Sequence, residues 1–340
     1  MSKLIIDVCP GTLKDGFTTY SPPCKRNVFG GKSVNHILPF RSPDKEGEDQ
    51  EKYLENRKRI SISGVQEKIT LYLDKNKFRF PNEGEIGQYI VKPIPRDLLH
   101  VGQVPANEHL TMQIAEQVYK IHTAPNAMIF FSDDSPAYIT KRFDLKEDGS
   151  RRRKEDFASL AQKTEENAGK EFKYEYSYLE MAALIKQYVG ASAPQIERLF
   201  SLILFNYLFS NGDAHLKNFS LLETESKDFI LSPAYDLLCT RIHVDDSDLA
   251  LKNGLYEEDM EHPSYVKYGF YAYDDFYDFG LKIGLQPIRI KSLLALYNSK
   301  KEEVISLINN SFLNDKMKTI YRDMFLDKQR RFAMSVSGKI

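Results

Sequence analysis

The chain has 340 residues, of which 42% are hydrophobic and 12% aromatic, enough apolar material for two packed cores and too much for an intrinsically disordered chain. Lys and Arg number 47 against 48 Asp and Glu, and a formal net charge of -1 excludes a global positive field for gripping nucleic acid or an anionic membrane. Three widely spaced cysteines (Cys9, Cys24, Cys239) without a CxxC speak against a disulfide framework or a four-thiolate zinc site and suit a reducing compartment.

The opening MSKLIIDVCPG lacks the apolar stretch of a signal peptide. The longest apolar run, around Leu202 to Phe209, is far below the roughly 18–20 residues that span a bilayer. The expectation is a soluble, unprocessed, cytoplasmic protein. Residues 1–58 read as loop-rich, with turn signals at Pro10-Gly11 and Pro22-Pro23 and an acidic surface linker at Ser42 to Lys52. From Ile60 to Phe143 the texture changes to short β-rich segments: ISISGVQ, KITLYLD, KFRF, QYIVKP, AMIFF and AYITKRF. One helical segment interrupts them, NEHLTMQIAEQVY, where Leu110, Ile114 and Val118 keep a helical period.

Beyond Arg151 helices dominate. EDFASLAQKT comes first, then MAALIKQYV behind a capping box opened by Ser177 and Glu180. Pro194 suits a first helical position, and the stretch to Phe209 is apolar nearly all round, the mark of a helix buried in a core and stopped by Asn211-Gly212. Further helices are expected over 274–283, closed by Gly284, and over 287–297, 301–309 and 314–331. The plan is α+β, with a loop-rich 1–58, a β-rich 59–150 and a helical 151–340.

The densest polar cluster, NGDAHLKNFSLL at 211–222, follows the buried helix, with SPAYDLL at 232–238 close behind. Asp213 and Asn218 are five apart and Asp236 lies eighteen further on, the spacing of the catalytic Asp, the Asn and the magnesium-binding Asp in protein kinases. Phosphoryl transfer needs a carboxylate that orients an acceptor hydroxyl and takes its proton, plus hard oxygen ligands for Mg2+; Asp213, Asn218 and Asp236 can fill these roles. Lys217 can place a point charge on the transferring phosphoryl, and His215 reads as a brace of the loop bonded to backbone or to Asp236. Taken alone, Asn-Gly also suits an ordinary helix end, but that does not account for Asp213, His215, Lys217 and Asn218 together.

Lys92 in QYIVKP and Glu108 sixteen residues later, early in the helix of the β-rich part, can form the ion pair that fixes a kinase lysine on ATP phosphates. A phosphate-cradling loop is the weakest element. No GxGxxG exists, and GGKS at 30–33 fails as a Walker A because Arg26 stands where the first glycine belongs. What remains is SISGVQEK, where Ser61, Ser63 and the Gly64 backbone can meet phosphate. The seven histidines show no HxxxH or HxH spacing, so a zinc site is not expected.

SISGVQEK, YIVKP, NEHLTMQIA, YITKRFD, EDFASL, NGDAHLKNFSLL and SPAYDLL, in this order, resemble the successive motifs of the HipA-type toxin serine/threonine kinases. The resemblance runs from about Ile60 to Leu238. It implies a two-lobed, protein-kinase-like fold with a β-rich N-lobe built around one principal helix and a helical C-lobe. It implies Asp213 as catalytic Asp, Asn218 and Asp236 as Mg2+ ligands, Lys92 on the ATP phosphates, and Lys141, Arg142 and Phe143 as the hinge that holds adenine. In this family a serine of the loop over the phosphates is autophosphorylated to inactivate the kinase, with Ser61 the first candidate here and Ser63 the second. A phosphoserine adds roughly -1.5 to -2 charge beside the ATP phosphates and would repel them.

The resemblance also implies partners: a helix-turn-helix antitoxin that would carry the DNA contact, and an aminoacyl-tRNA synthetase as protein substrate. Residues 1–58 look too short for the small β domain of full-length members, so a separate companion protein is expected in its place. No membrane role is expected. Two alternatives stay open: a small-molecule kinase of the same fold, and a catalytically silent module bridging antitoxin and DNA, in which Arg151 to Lys154 can touch phosphate backbone.

Overall fold

A computed structural model describes residues 4–43, 53 and 67–338. Ser61, Ser63 and Gly64, and the acidic run after Pro43, lie outside the described residues. The chain divides into two compact units. As far as it is described, the first comprises Met1–Gln113, Ala124–Arg151 and Ser306–Lys318, and the second Ile114–Thr123, Arg152–Ile305 and Thr319–Ile340.

The first unit is built on an antiparallel sheet of five strands, β1 (Ile69–Asp74), β2 (Lys77–Arg79), β3 (Tyr89–Lys92), β4 (Asn126–Phe130) and β5 (Pro136–Lys141), in the order β2-β1-β3-β5-β4. The period-2 pattern of ITLYLD drives β1: Ile69, Leu71 and Leu73 are buried, and the residues between them face outward. Ile69 pairs with Val91, Val91 with Ile139, and Lys92 with Tyr138, so the register carries Lys92 next to a β5 tyrosine.

The segment expected to be loop-rich supplies part of this core. Pro22-Pro23 does not turn the chain; it opens helix α1 (Pro22–Phe29), because Pro suits the first helical position and the Ser21 side chain accepts from the Cys24 N–H. Cys9, Tyr20, Cys24, Val28, Phe29 and Leu38 are buried in the cluster that holds Leu71, Val91, Ile129 and Ile139. Phe29 has ring neighbours in Tyr20, Phe78 and Tyr89 at 4.7, 6.1 and 6.0 Å. Such a buried ring truncated to alanine costs about 3–5 kcal/mol. Helix α2 (Val104–Gln117) carries the expected helical segment, starting three residues earlier and ending before Val118.

The second unit is mainly helical. A short sheet, β6 (Lys154–Asp156), β7 (Ser220–Glu223) and β8 (Phe229–Leu231), forms one part of it. Lys154, read as the end of a charge run, instead opens β6 opposite Leu222. The expected EDFASLAQKT helix is only one turn, Phe157–Leu160, capped by Asp156. The Ser177–Glu180 capping box forms at the head of α5 (Tyr178–Tyr188), where α3 and α4 denote Phe157–Leu160 and Glu165–Ala168.

Helix α6 (Ser192–Leu208) is the buried helix, with Leu199, Phe200, Ile203, Leu204 and Phe205 at 0% exposure. Later helices span Pro263–Tyr268, Tyr273–Lys282, Pro287–Ser299, Lys301–Asn309 and Asp315–Phe332. The first of these was not expected, because PSYVKY shows little amphipathic pattern; Pro263 at its start and Gly269 in a left-handed conformation at its end define it. Among the described residues no helix is long and apolar enough to cross a membrane.

Candidate active site

In the first unit, Lys92 leaves the end of β3 and Glu108 comes from the second turn of α2. Nζ of Lys92 donates to Glu108 Oε1 over 2.6 Å, with the two side chains only 5% and 1% exposed. The Tyr138 ring lies 5.5 Å from the same Nζ. Ions this deeply buried are tolerated only in close pairs, since each desolvation costs several kcal/mol. Lys141 closes β5 and Arg142 follows it. Their N–H groups donate to the carbonyls of Pro125 and Gln88, and the Arg142 guanidinium grips Asp144 through two bonds of 2.9 and 2.6 Å. Those two N–H groups are therefore committed to the protein; Phe143 follows on the same stretch, half-buried.

In the second unit, α6 delivers the polar loop. Its end differs from the sequence expectation: the left-handed residue is Ser210, at φ 50°, not Asn211 or Gly212. Asn211 then bonds back to Asn206 through backbone and side chain. Gly212 is demanded by close approach, because a Cβ there would lie 2.4 Å from Asp246 Cγ and 2.5 Å from the Ser247 carbonyl. Its N–H donates to Thr240 Oγ1 over 2.8 Å.

Asp213 sits half-exposed at the tip, its Oδ1 accepting from the Tyr174 hydroxyl at 2.5 Å. Asn218 Nδ2 donates to the Asp213 carbonyl at 3.2 Å. Because a carbonyl can only accept, the amide nitrogen must face it, and the Asn218 Oδ1 is presented on the other side. Lys217 Nζ lies over the Phe172 ring at 5.9 Å.

Strands β7 and β8 lead to Asp236. Tyr235 bonds to Ser220 Oγ at 2.6 Å and to the Lys217 carbonyl at 2.9 Å, tying the residue before Asp236 to the loop that carries Asn218. Asp236 itself is held at φ 55°, a left-handed conformation that costs a non-glycine residue about 1–3 kcal/mol and gathers at functional sites. The oxygen donors of Asn218 and Asp236 are hard, the kind Mg2+ takes alongside phosphate oxygens and water. Among the described residues no group of three or more His, Cys, Asp or Glu side chains is arranged as a metal centre.

His215 is buried beside the loop, but its ring does not make the bond expected of a brace: its Nε2 lies 3.8 Å from Asp213 Oδ1, the ring packs edge-on to Tyr174 at 5.2 Å, and its Nδ1 has no hydrogen-bond partner among the described residues. Burial pushes its pKa down to about 4, ahead of the opposing pull of Asp213, so the ring is neutral near pH 7. Burial and then the bond to Asp213 hold the Tyr174 hydroxyl far above its ordinary value, which keeps it a donor. Asp246 behind Gly212 is pushed up to about 6 by burial and contacts the Thr240 hydroxyl.

Sequence reasoning did not find Tyr174, Thr240 or Asp246. FKYEYS shows no periodicity, and nothing in it marks one tyrosine over another. Tyr174 is placed by its backbone: the Lys173 carbonyl accepts from Leu216 N–H, and its own carbonyl from Lys252 N–H.

An antiparallel sheet carrying a buried strand-lysine to helix-glutamate pair, with a helical unit bearing an Asp–Asn loop, defines a protein-kinase-like α+β fold. The model of the HipA-like C-terminal domain matches residues 60–305, and the chain belongs to that family. It is 28% identical over 267 residues to a Haemophilus influenzae protein named "Putative kinase", covering 75% of this chain and 76% of that one. It is also 28% identical over 246 residues to the Sinorhizobium fredii protein "Putative kinase Y4dM", covering 67% of this chain and 56% of that protein's length. Among solved structures, the Shewanella oneidensis toxin–antitoxin system of HipA, HipB and operator DNA contains a chain that superposes with a TM-score of 0.63 at 20% identity, over 86% of this chain and 74% of that one.

Proposed function

We propose that this chain is an ATP- and Mg2+-dependent protein serine/threonine kinase acting as the toxin of a toxin–antitoxin module. The observation that carries the reading is the Lys92–Glu108 pair, 2.6 Å long and buried, because a lysine fixed by a helix glutamate is what a kinase uses on nucleotide phosphates. In this reading Lys92 binds the ATP phosphates, and Asn218 and Asp236 hold Mg2+, which supplies charge neutralisation along the phosphates. Asp213 orients the acceptor. Its Oδ1 is taken by Tyr174, which leaves Oδ2 to receive the hydroxyl proton as the acceptor oxygen bonds to the γ-phosphorus and the bond to the bridging oxygen of ADP breaks. Lys217 adds charge near the transferring group, and the stretch Lys141 to Phe143 borders adenine.

The finer assignments rest on the family. Autophosphorylation at Ser61 or Ser63, beside Gly64, would inactivate the enzyme, and an aminoacyl-tRNA synthetase is the proposed substrate. The solved relative is described in complex with HipB and operator DNA, which supports a helix-turn-helix antitoxin as partner here, with DNA reached only through it. The near-zero net charge accords with a chain that borrows its DNA contact.

The test is transfer of label from γ-labelled ATP with Mg2+ to the purified chain and, separately, to synthetases. Self-labelling that disappears in Asp213→Asn and Lys92→Met is expected. Absence of any transfer from the folded wild-type chain would favour a silent binding module.

A further inference from the structure

The second unit contains a cavity of about 720 Å³ that the proposed chemistry does not use. It lies among the loop 247–254, the Tyr265–Tyr271 region and the face of the last helix that carries Met324 and Lys328. Its volume falls in the range of small-molecule sites, roughly 300–1,000 Å³.

Its charges are unbalanced. Asp248 Oδ1 receives both Arg241 Nη1 at 2.7 Å and Lys328 Nζ at 2.6 Å. Asp327 likewise serves both Arg331 at 2.7 Å and Arg330 at 3.0 Å. Three cations of the lining, Arg241, Lys328 and Arg331, thus share two carboxylates, Asp248 and Asp327, the second of which also serves Arg330 outside the cavity. Lys328 is only 3% exposed, and among the described residues its Nζ makes no hydrogen bond of good geometry; the contact to Asp248 is an ion pair, with the Tyr207 ring 4.1 Å away. Burial outweighs that pairing and brings its pKa down to about 8. A buried ammonium beside an undercompensated arginine is costly unless a further anion joins it. Leu249, Met260, Tyr265 and Tyr271 supply apolar and aromatic surface to the lining.

We propose that this cavity binds a small organic phosphate, its phosphate group completing the charge balance of Arg241 and Lys328 and its carbon skeleton lying against Tyr265 and Tyr271. Arginine and lysine together suit a phosphate: the guanidinium offers a planar fork and the ammonium a point charge. The site is separate from the proposed transfer chemistry, since neither Asp213 nor Asn218 lines it.

The experiment is calorimetric titration of the full chain at pH 7 with phenyl phosphate and with inorganic phosphate. Phenyl phosphate is expected to saturate one site and to bind more tightly than inorganic phosphate. Lys328→Met and Arg241→Gln should each weaken it at least tenfold, while Asp213→Asn should bind like the wild type. Should Lys328→Met fail to fold by circular dichroism, Arg331→Gln at the more exposed rim is expected to weaken phenyl phosphate as well. No saturable binding, binding that survives Lys328→Met and Arg241→Gln, or binding lost in Asp213→Asn would overturn the proposal. Equal affinity for the two probes would overturn the organic ligand and leave only a bare anion site.

Discussion

The hydroxyl of Tyr174 and the carboxylate of Asp213, thirty-nine positions apart in the chain, meet at 2.5 Å. The bond fixes which carboxylate oxygen is occupied, and the tyrosine is itself fixed by backbone bonds on both sides. A half-exposed aspartate would otherwise sample several rotamers, so the bond preorganises the base.

Tyr174→Phe should therefore keep the fold and slow transfer. A hydrogen bond to a charged group contributes about 1.5–3 kcal/mol, which corresponds to roughly 10- to 100-fold in rate. Initial rates of γ-phosphate transfer at saturating ATP check this. The loss should fall on kcat, with the KM for ATP unchanged, because the tyrosine holds the base and not the nucleotide.

Breaking the buried pair from one side should be far more damaging to stability than removing it whole. Glu108→Gln leaves the Lys92 ammonium buried without its carboxylate, at about 3–5 kcal/mol. The double variant Lys92→Met with Glu108→Leu should recover most of that stability while ATP binding stays lost. Urea unfolding and nucleotide titration of the single and double variants measure the two effects.

Gly212→Ala should disturb the loop without touching a catalytic group. The added methyl would meet Asp246 and the Ser247 backbone at 2.4–2.5 Å, and overpacking of this kind costs about 1–3 kcal/mol. Chemical denaturation should register the loss, and transfer should fall as well, since Asp213 is the next residue.

The pH dependence follows from two buried groups of opposite sign. His215 has its folded pKa depressed from 6.5 to about 4, so its contribution is full above pH 6.5 and is lost as pH falls towards 4, by about 3 kcal/mol. Asp246 is raised from 3.8 to about 6, so its contribution is full below 3.8 and is lost as pH rises through 6. The two partly cancel in the wild type. The difference in stability between wild type and His215→Phe, followed by denaturant unfolding from pH 7 to 4, should shrink as the acid side is reached, and Asp246→Asn should shift the difference the other way.

Local patterns in the chain were enough to place the five strands of the first unit's sheet, the buried helix before NGDAHLKN and the Ser177–Glu180 capping box, since each follows from periodicity or from contacts within four residues, whereas β6 and β8 were not legible. The spacing of Asp213, Asn218 and Asp236 is likewise a property of the sequence alone. The core role of residues near Phe29 was hidden because Pro-Pro and Gly read locally as turns, while the apolar partners of that helix are strands more than forty residues away. Lys92 and Glu108 could be named as a pair from the sequence, but only the meeting of β3 with α2 brings them to 2.6 Å in a dry interior. Tyr174, Asp246 and the cation-rich cavity belong wholly to the tertiary structure. Their partners are chosen by packing between segments distant in sequence, and neither period nor propensity records which side chain a loop will meet.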